Sequence, residues 1–142
     1  MSADAILLVE DNDDDAFFMQ QALHDSQIVN PVHRVENGRE AIEYLAGDGR
    51  FADREKYPLP LIVFLDLKLP EKSGHQVLQW IRAQPRFAPM RVVVLTSSNE
   101  PVDLNRSYQL GANSFMVKPA RADELAGLAE FFKFQWTRRT AD

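Results

Sequence analysis

Three unbroken apolar runs constrain the fold of this chain more than any other feature: "AILLV" (5–9), "LIVFL" (61–65) and "VVVLT" (92–96). Each has strand length, and none alternates with polar residues, so both faces of each strand must be covered. Two shorter segments, "PVHRVE" (31–36) and "SFMV" (114–117), are weaker strand candidates. Between the strands lie segments of helical period at 14–26, 38–47, 74–84, 101–110 and 122–138. In the first of these, Ala16, Met19 and Leu23 recur on one face; in the last, Leu125, Leu128, Ala129 and Phe132 form one stripe. Asn37-Gly38 opens the second helix and Gly111 closes the fourth. Five strands alternating with five helices imply a doubly wound α/β domain, a parallel five-stranded sheet with helices on both faces. The stretch "GDGRFADREKYPLP" (47–60) exceeds most connections in such a fold and is expected to be an exposed excursion.

At 142 residues the chain is expected to form one domain over 1–142, large enough for a sizeable core. A net charge of −5 argues against a nucleic-acid partner, because phosphate binding favours a basic face. With no cysteine there is neither a disulfide framework nor a thiolate metal site. The start "MSADAILLV" has no basic region or long apolar stretch, and no run could span a membrane, so the cytoplasm is the expected location.

Ligands of open α/β sheets bind beyond the carboxyl ends of the strands, where the strand order reverses. The first strand ends on Glu10 and Asp11, the third on Asp66, the fourth on Thr96 and the fifth on Lys118. These residues meet at one rim if the strand order is 2-1-3-4-5, which is assumed at this point. Two carboxylates about 5 Å apart repel by roughly 3 kcal/mol at an effective dielectric near 20, so three together call for a cation. All-oxygen donors suit a hard ion, Mg²⁺ or alternatively Mn²⁺. Mg²⁺ held by a few carboxylates points to phosphoryl transfer. Asp66 is then the candidate nucleophile, with Lys118 neutralising charge and the Thr96 hydroxyl donating to a phosphoryl oxygen. Glu10 and Asp11 are assigned to the metal. Asp13, Asp14 and Asp15 are assigned to capping or solvation at the start of the first helix, where the macrodipole favours negative charge. His24, His33 and His75 are scattered and are expected to be solvated.

Together these residues resemble the receiver domain of two-component response regulators. "LLVEDN" is similar to its acidic-pair motif, "DLKLPEKSG" to its phosphoacceptor loop, "VVVLTSS" to its hydroxyl motif and "GANSFMVKP" to its lysine-proline motif. The resemblance implies a flavodoxin-like fold with order 2-1-3-4-5 and phosphorylation of Asp66 by a partner histidine kinase. It implies that Asp11, Asp66 and the Lys68 carbonyl bind Mg²⁺ directly, with Glu10 acting through a metal-bound water. It also implies that Lys118-Pro119 is cis, and that Thr96 and Phe115 shift together on phosphorylation. Lys68 and Ser98 stand where the family varies. The finer resemblance is to single-domain regulators that partner bacterial and cyanobacterial phytochrome kinases, through "VEDNDDD", the 47–60 excursion, "LTSSNEP" and the aromatic C-terminus.

The chain ends about where the fifth helix should, so no output domain is expected, and output would be a change of binding surface. No G-x-x-x-x-G-K-[ST] loop occurs, so the phosphoryl group should come from a partner. At 100° per residue from Leu125, Trp136 stays within about 60° of the core stripe, while Phe134 falls nearly opposite and Phe131 far to one side. Aromatics off a core stripe mark a contact surface. Phe131, Phe134 and Trp136 are assigned to a homodimer interface built from the fourth helix, fifth strand and fifth helix; the alternative is that the end of the helix bends and tucks these rings in. Two alternatives are a phosphorylation-independent adaptor and an aspartyl-phosphate phosphatase. The phosphatase pattern asks for a second carboxylate at position 68, where this chain has lysine.

Overall fold

The structure, a computed structural model, describes residues 5–97 and 101–139; Ser98 lies outside them. Its elements run β1 (Ile6–Val9), α1 (Asp13–Asp25), β2 (Val32–Val35), α2 (Gly38–Ala46), β3 (Ile62–Asp66), α3 (Gly74–Ala83), β4 (Arg91–Thr96), α4 (Pro101–Gln109), β5 (Ser114–Val117) and α5 (Ala122–Phe132). The five strands form one parallel sheet in the order β2-β1-β3-β4-β5. The order assumed from the sequence is thus the observed one, and it reverses between β1 and β3.

The pleat divides the three apolar runs between two cores. Leu7, Val9, Val63, Leu65, Val92 and Val94 pack against Tyr44 and Leu45 of α2 and Val77, Leu78 and Ile81 of α3. Ile6, Leu8, Ile62, Phe64, Val93 and Leu95 pack on the opposite face against Ala16, Met19 and Leu23 of α1 and Leu125 and Leu128 of α5. Each such side chain contributes about 1.5–3 kcal/mol by leaving water, which anchors the strand ends that carry the polar residues.

Helix starts are fixed by side chains that satisfy orphan N–H groups. Asn12 Oδ1 accepts from the Asp15 N–H at 2.9 Å, and Asn37 Oδ1 from that of Glu40 at 2.8 Å. Ser73 and Gln76 form a reciprocal capping box at α3. The next residue, Gly74, lies so close to the β3–α3 loop that a Cβ there would collide with the Asp66 carbonyl and the Leu67 Cα.

Three expectations need correction. The 47–60 stretch is not simply an exposed excursion: Phe51 is buried, and the Tyr44 hydroxyl donates to the Pro58 carbonyl at 2.8 Å. The Arg54 guanidinium also donates to the carbonyls of Tyr44, Leu45 and Tyr57. His33 packs half-buried between Tyr44 and Tyr57, and burial lowers its pKa; His75 Nε2 lies 3.2 Å from Ser107 Oγ. Neither is simply solvated, since nearby aromatic and hydroxyl groups take them up.

The third correction concerns α5. It ends at Phe132, with Lys133 in the left-handed region (φ 62°), rather than continuing to 138. The chain then doubles back. Trp136 is only 5% exposed, and its Nε1 donates to the Leu125 carbonyl at 2.8 Å. Residues 137–139 lie along the α1–β2 connection: the Val29 N–H donates to Thr137 O, the Arg139 N–H to Gln27 O, and Ile28 bridges Arg138. Trp136 therefore does not belong to an interface, because a large ring with its N–H satisfied gains more in the core than on an exposed helix end. Phe134 is half-buried against Trp136 with the Arg91 guanidinium over its ring, whereas Phe131 is 64% exposed.

Candidate functional site

The polar residues converge where the strand order reverses. Glu10, one residue past β1, is 1% exposed; Asp66 and Thr96, the last residues of β3 and β4, are each 5% exposed. The Lys118 N–H donates to the Thr96 carbonyl at 2.8 Å, which fixes the chain leaving β5 beside β4, and the Lys118-Pro119 bond is cis. From there the Lys118 Nζ reaches three carboxylates: Glu10 Oε1 at 2.8 Å, Asp66 Oδ2 at 2.9 Å and Asp15 Oδ2 at 3.0 Å.

The remaining oxygens are held by backbone donors. Asp66 Oδ1 accepts from the Lys68 N–H at 3.0 Å, and Glu10 Oε2 from the Asn12 N–H at 3.2 Å. Burial pushes the Glu10 carboxyl up to about 7; the Asp66 carboxylate adds to this and the Lys118 hydrogen bond opposes it. Burial also works against the Lys118 ammonium, but hydrogen bonds to Asp66, Glu10 and Asp15 outweigh it and hold its pKa above the usual lysine value. The cluster is thus an anionic pocket with one amine inside it. One carboxylate oxygen from each of Glu10, Asp11 and Asp66 lies within 4.8 Å of the others, with Asp11 exposed at the mouth. An all-oxygen set of this size, open on one side, fits a hard divalent cation that keeps some of its waters.

Glu10, Asp11, Asp66 and Lys118 are therefore brought together as the sequence suggests, with Thr96 buried at the adjoining strand end. Phe115 lies half-buried on β5, its ring centroid 6.2 Å from that of Tyr108. Lys68 is exposed beside Asp66. Phe131 and Phe134 lie away from the cluster, on and just beyond α5. Two residues were missed. Asp15, assigned to capping, is a direct partner of Lys118; its spacing of four from Asp11, about one helical turn, is the only hint in the sequence. Arg34 on β2 donates from Nε to the Glu10 carbonyl at 2.9 Å and from Nη1 to Asp13 Oδ1 at 2.9 Å. No motif marks it.

Comparison with known proteins bears on the family and the fold. Residues 6–130 match the family model described as response regulator receiver domain. The chain is 36% identical over 134 residues to the probable methanogenesis regulatory protein FilR2 of Methanothrix harundinacea, covering 92% of this chain and 82% of that protein. It is 33% identical over 131 residues to the response regulator Rcp1 of Synechocystis sp., covering 92% and 87%. The solved Mn(2+)-bound form of Rcp1 superposes with a TM-score of 0.76 over 96% of this chain and 99% of that one, at 32% identity. The bacteriophytochrome response regulator AtBRR superposes with a TM-score of 0.85 over 99% and 100%, at 36% identity. Among the described residues, no helix is long and apolar enough to cross a membrane.

Proposed function

The chain belongs to the response regulator receiver family, and from that premise we propose that it is a phosphorylation switch in which Asp66 accepts a phosphoryl group from a partner histidine kinase. The observation that carries this reading is the single amine, Lys118 Nζ, held 2.9 Å from Asp66 Oδ2 beside three convergent carboxylate oxygens. Asp66 and Asp11, with the Lys68 carbonyl, would hold Mg²⁺, or Mn²⁺ in its place; Glu10 would act through a metal-bound water. When bound, the ion supplies positive charge next to the phosphoryl oxygens.

The chain's own residues do the rest. An Asp66 carboxylate oxygen forms the new O–P bond in line with the leaving group. The P–N bond to the kinase's histidine breaks, and its electron pair stays on the imidazole nitrogen. Asp66 has no proton to lose, so positioning and charge neutralisation are the main requirements. Lys118 moves from pairing the free carboxylate to pairing the phosphoryl group, and the Thr96 hydroxyl donates to another phosphoryl oxygen. Thr96 and Phe115 then shift together, carrying the change to the face of α4, β5 and α5. The protein catalyses only its own phosphorylation and dephosphorylation. With lysine at position 68, no second carboxylate stands there as the general acid of a phosphatase.

Two surfaces support protein partners. Phe17 and Phe18 are exposed on α1, and Phe18 borders the small cavity lined by Glu10, Asp15, Lys118 and Pro119, beside which a kinase would dock. Tyr108, Val117 and Phe131 are exposed on α4, β5 and α5, and this face is the homodimer surface we propose, without Trp136. Likeness to Rcp1 and AtBRR supports a phytochrome kinase as the donor, which would place the protein in the cytoplasm with the kinase's catalytic part.

The test is phosphotransfer from an autophosphorylated phytochrome histidine kinase, run beside a kinase from an unrelated pathway. Fast Mg²⁺-dependent transfer from the first, abolished by Asp66→Asn, is expected. Equal, slow transfer from both would remove the phytochrome assignment, and no transfer from either with a functional donor would remove the switch reading.

A further inference from the structure

Arg34 makes two contacts that the phosphoryl chemistry does not use. In the parallel β1–β2 ladder its register partner is Leu8, so its side chain leaves the sheet on the face covered by α1 and α5. From there the guanidinium spans the connection between β1 and α1. Nε holds the Glu10 carbonyl and Nη1 holds the Asp13 carboxylate, each at 2.9 Å. Between those anchor points lies Asp11, the exposed member of the carboxylate trio.

Arg34 is a poor device for stability alone. Its Nη2 is buried with no hydrogen-bond partner among the described residues, and an unsatisfied buried donor costs stability. Its ionic partner Asp13 is 88% exposed, where an ion pair contributes little. What the two bonds do accomplish is to fix the Glu10–Asp11 peptide from one side and the first residue of α1 from the other.

We infer that Arg34 is a positioning residue for divalent-cation binding. It acts through Asp11, whose carboxylate it presets toward Glu10 and Asp66 by clamping the chain on both sides. The inference rests on the metal reading given above. It also runs against simple electrostatics, since a guanidinium near a cation site should weaken binding if charge alone mattered. The two effects therefore have opposite signs and can be separated.

The experiment is a calorimetric titration of the full chain with Mg²⁺ alone, for wild type, Arg34→Met, Arg34→Lys and Asp11→Asn, with melting temperatures of the metal-free proteins measured alongside. Loss of a partner that orients a metal ligand typically weakens binding by about 10-fold or more. Both Arg34 variants are expected to show this, because lysine keeps the charge but has one nitrogen in place of the two-point span. Metal-free melting should change little. Mg²⁺ binding by Arg34→Met as tight as wild type, or tighter, would overturn the inference, and so would full recovery in Arg34→Lys. If Arg34→Met does not fold, Arg34→Lys alone decides. Mg²⁺ binding by Asp11→Asn that matches wild type would instead defeat the metal reading itself, a result distinguishable from failure of the Arg34 role.

Discussion

Replacing Lys118 by methionine tests the electrostatics of the site most fully, because the expected effect depends on pH and on metal. The Lys118 side chain is 13% exposed and its ammonium makes three charged contacts of 2.8–3.0 Å. Methionine has similar length and no charge, so it leaves Glu10 and Asp66 buried together without a cation. Breaking a buried ion pair from one side costs about 3–5 kcal/mol. For a domain of this size that is on the order of 10 °C in melting temperature.

The loss should not be uniform. In the metal-free wild type the Glu10 pKa is raised to about 7, so the folded state binds this proton more tightly than the unfolded state. Stability from that group is fully present below the ordinary carboxyl value and is lost as pH rises through about 7. Lys118 opposes this upward shift, so its removal drives the Glu10 pKa higher still. Near pH 5.5 Glu10 is protonated in variant and wild type alike, whereas at pH 8 the wild type has released that proton and the variant must either keep it or bear the charge without a cation. The difference between variant and wild type should therefore grow from pH 5.5 to pH 8. Mg²⁺ stabilises each protein that binds it, by about 2.7 kcal/mol at a hundredfold excess over Kd. At pH 8 it should narrow the difference, because the variant's site, without the amine, binds it more tightly. The assay is urea unfolding followed by Trp fluorescence, at both pH values with and without Mg²⁺. An equal loss at both pH values, or no recovery with Mg²⁺ at pH 8, would refute the reasoning.

Three other outcomes are expected. Trp136→Ala should cost about 3–5 kcal/mol in chemical denaturation, as large buried rings do, while the folded protein still accepts phosphate from acetyl phosphate; a loss under about 1 kcal/mol would return Trp136 to the surface. Gly74→Ala must push a Cβ into the Asp66 carbonyl and the Leu67 backbone. It should slow acetyl phosphate labelling more than it lowers the melting temperature, and an unchanged rate would mean that the loop yields freely. Phe131→Glu should shift sedimentation toward monomer without changing phosphorylation; a wild type that is strictly monomeric at high micromolar concentration, phosphorylated or not, would remove the dimer.

The sheet and its rim were legible because their causes are local. Runs such as "LIVFL" announce strands buried on both faces, and a strand's last residue is placed by the strand itself, so Glu10, Asp66, Thr96 and Lys118 could be located without knowing any contact. Asp15 was not legible in the same way. Its pairing with Lys118, 103 positions later, depends on the pitch of α1 against the chain after β5. Arg34 escaped notice because its role is set by strand register, which leaves no motif. The tail misled for a different reason: Leu125, Leu128, Ala129, Phe132 and Trp136 fit one helical stripe. No glycine or proline beside Lys133 warns that it adopts a left-handed turn and that Trp136 instead reaches Leu125 from the returning chain. Similarly, nothing in "GDGRFADREKYPLP" says that Arg54 will bind three carbonyls and hold the segment down.

The central claim is that Lys118 and a divalent ion together make Asp66 a phosphoryl acceptor. Incubation with acetyl phosphate followed by intact mass tests it most directly. One phosphoryl adduct is predicted in the presence of Mg²⁺, absent with chelator and absent in Asp66→Asn. An adduct that persists in Asp66→Asn, or none in the wild type with Mg²⁺, would contradict it.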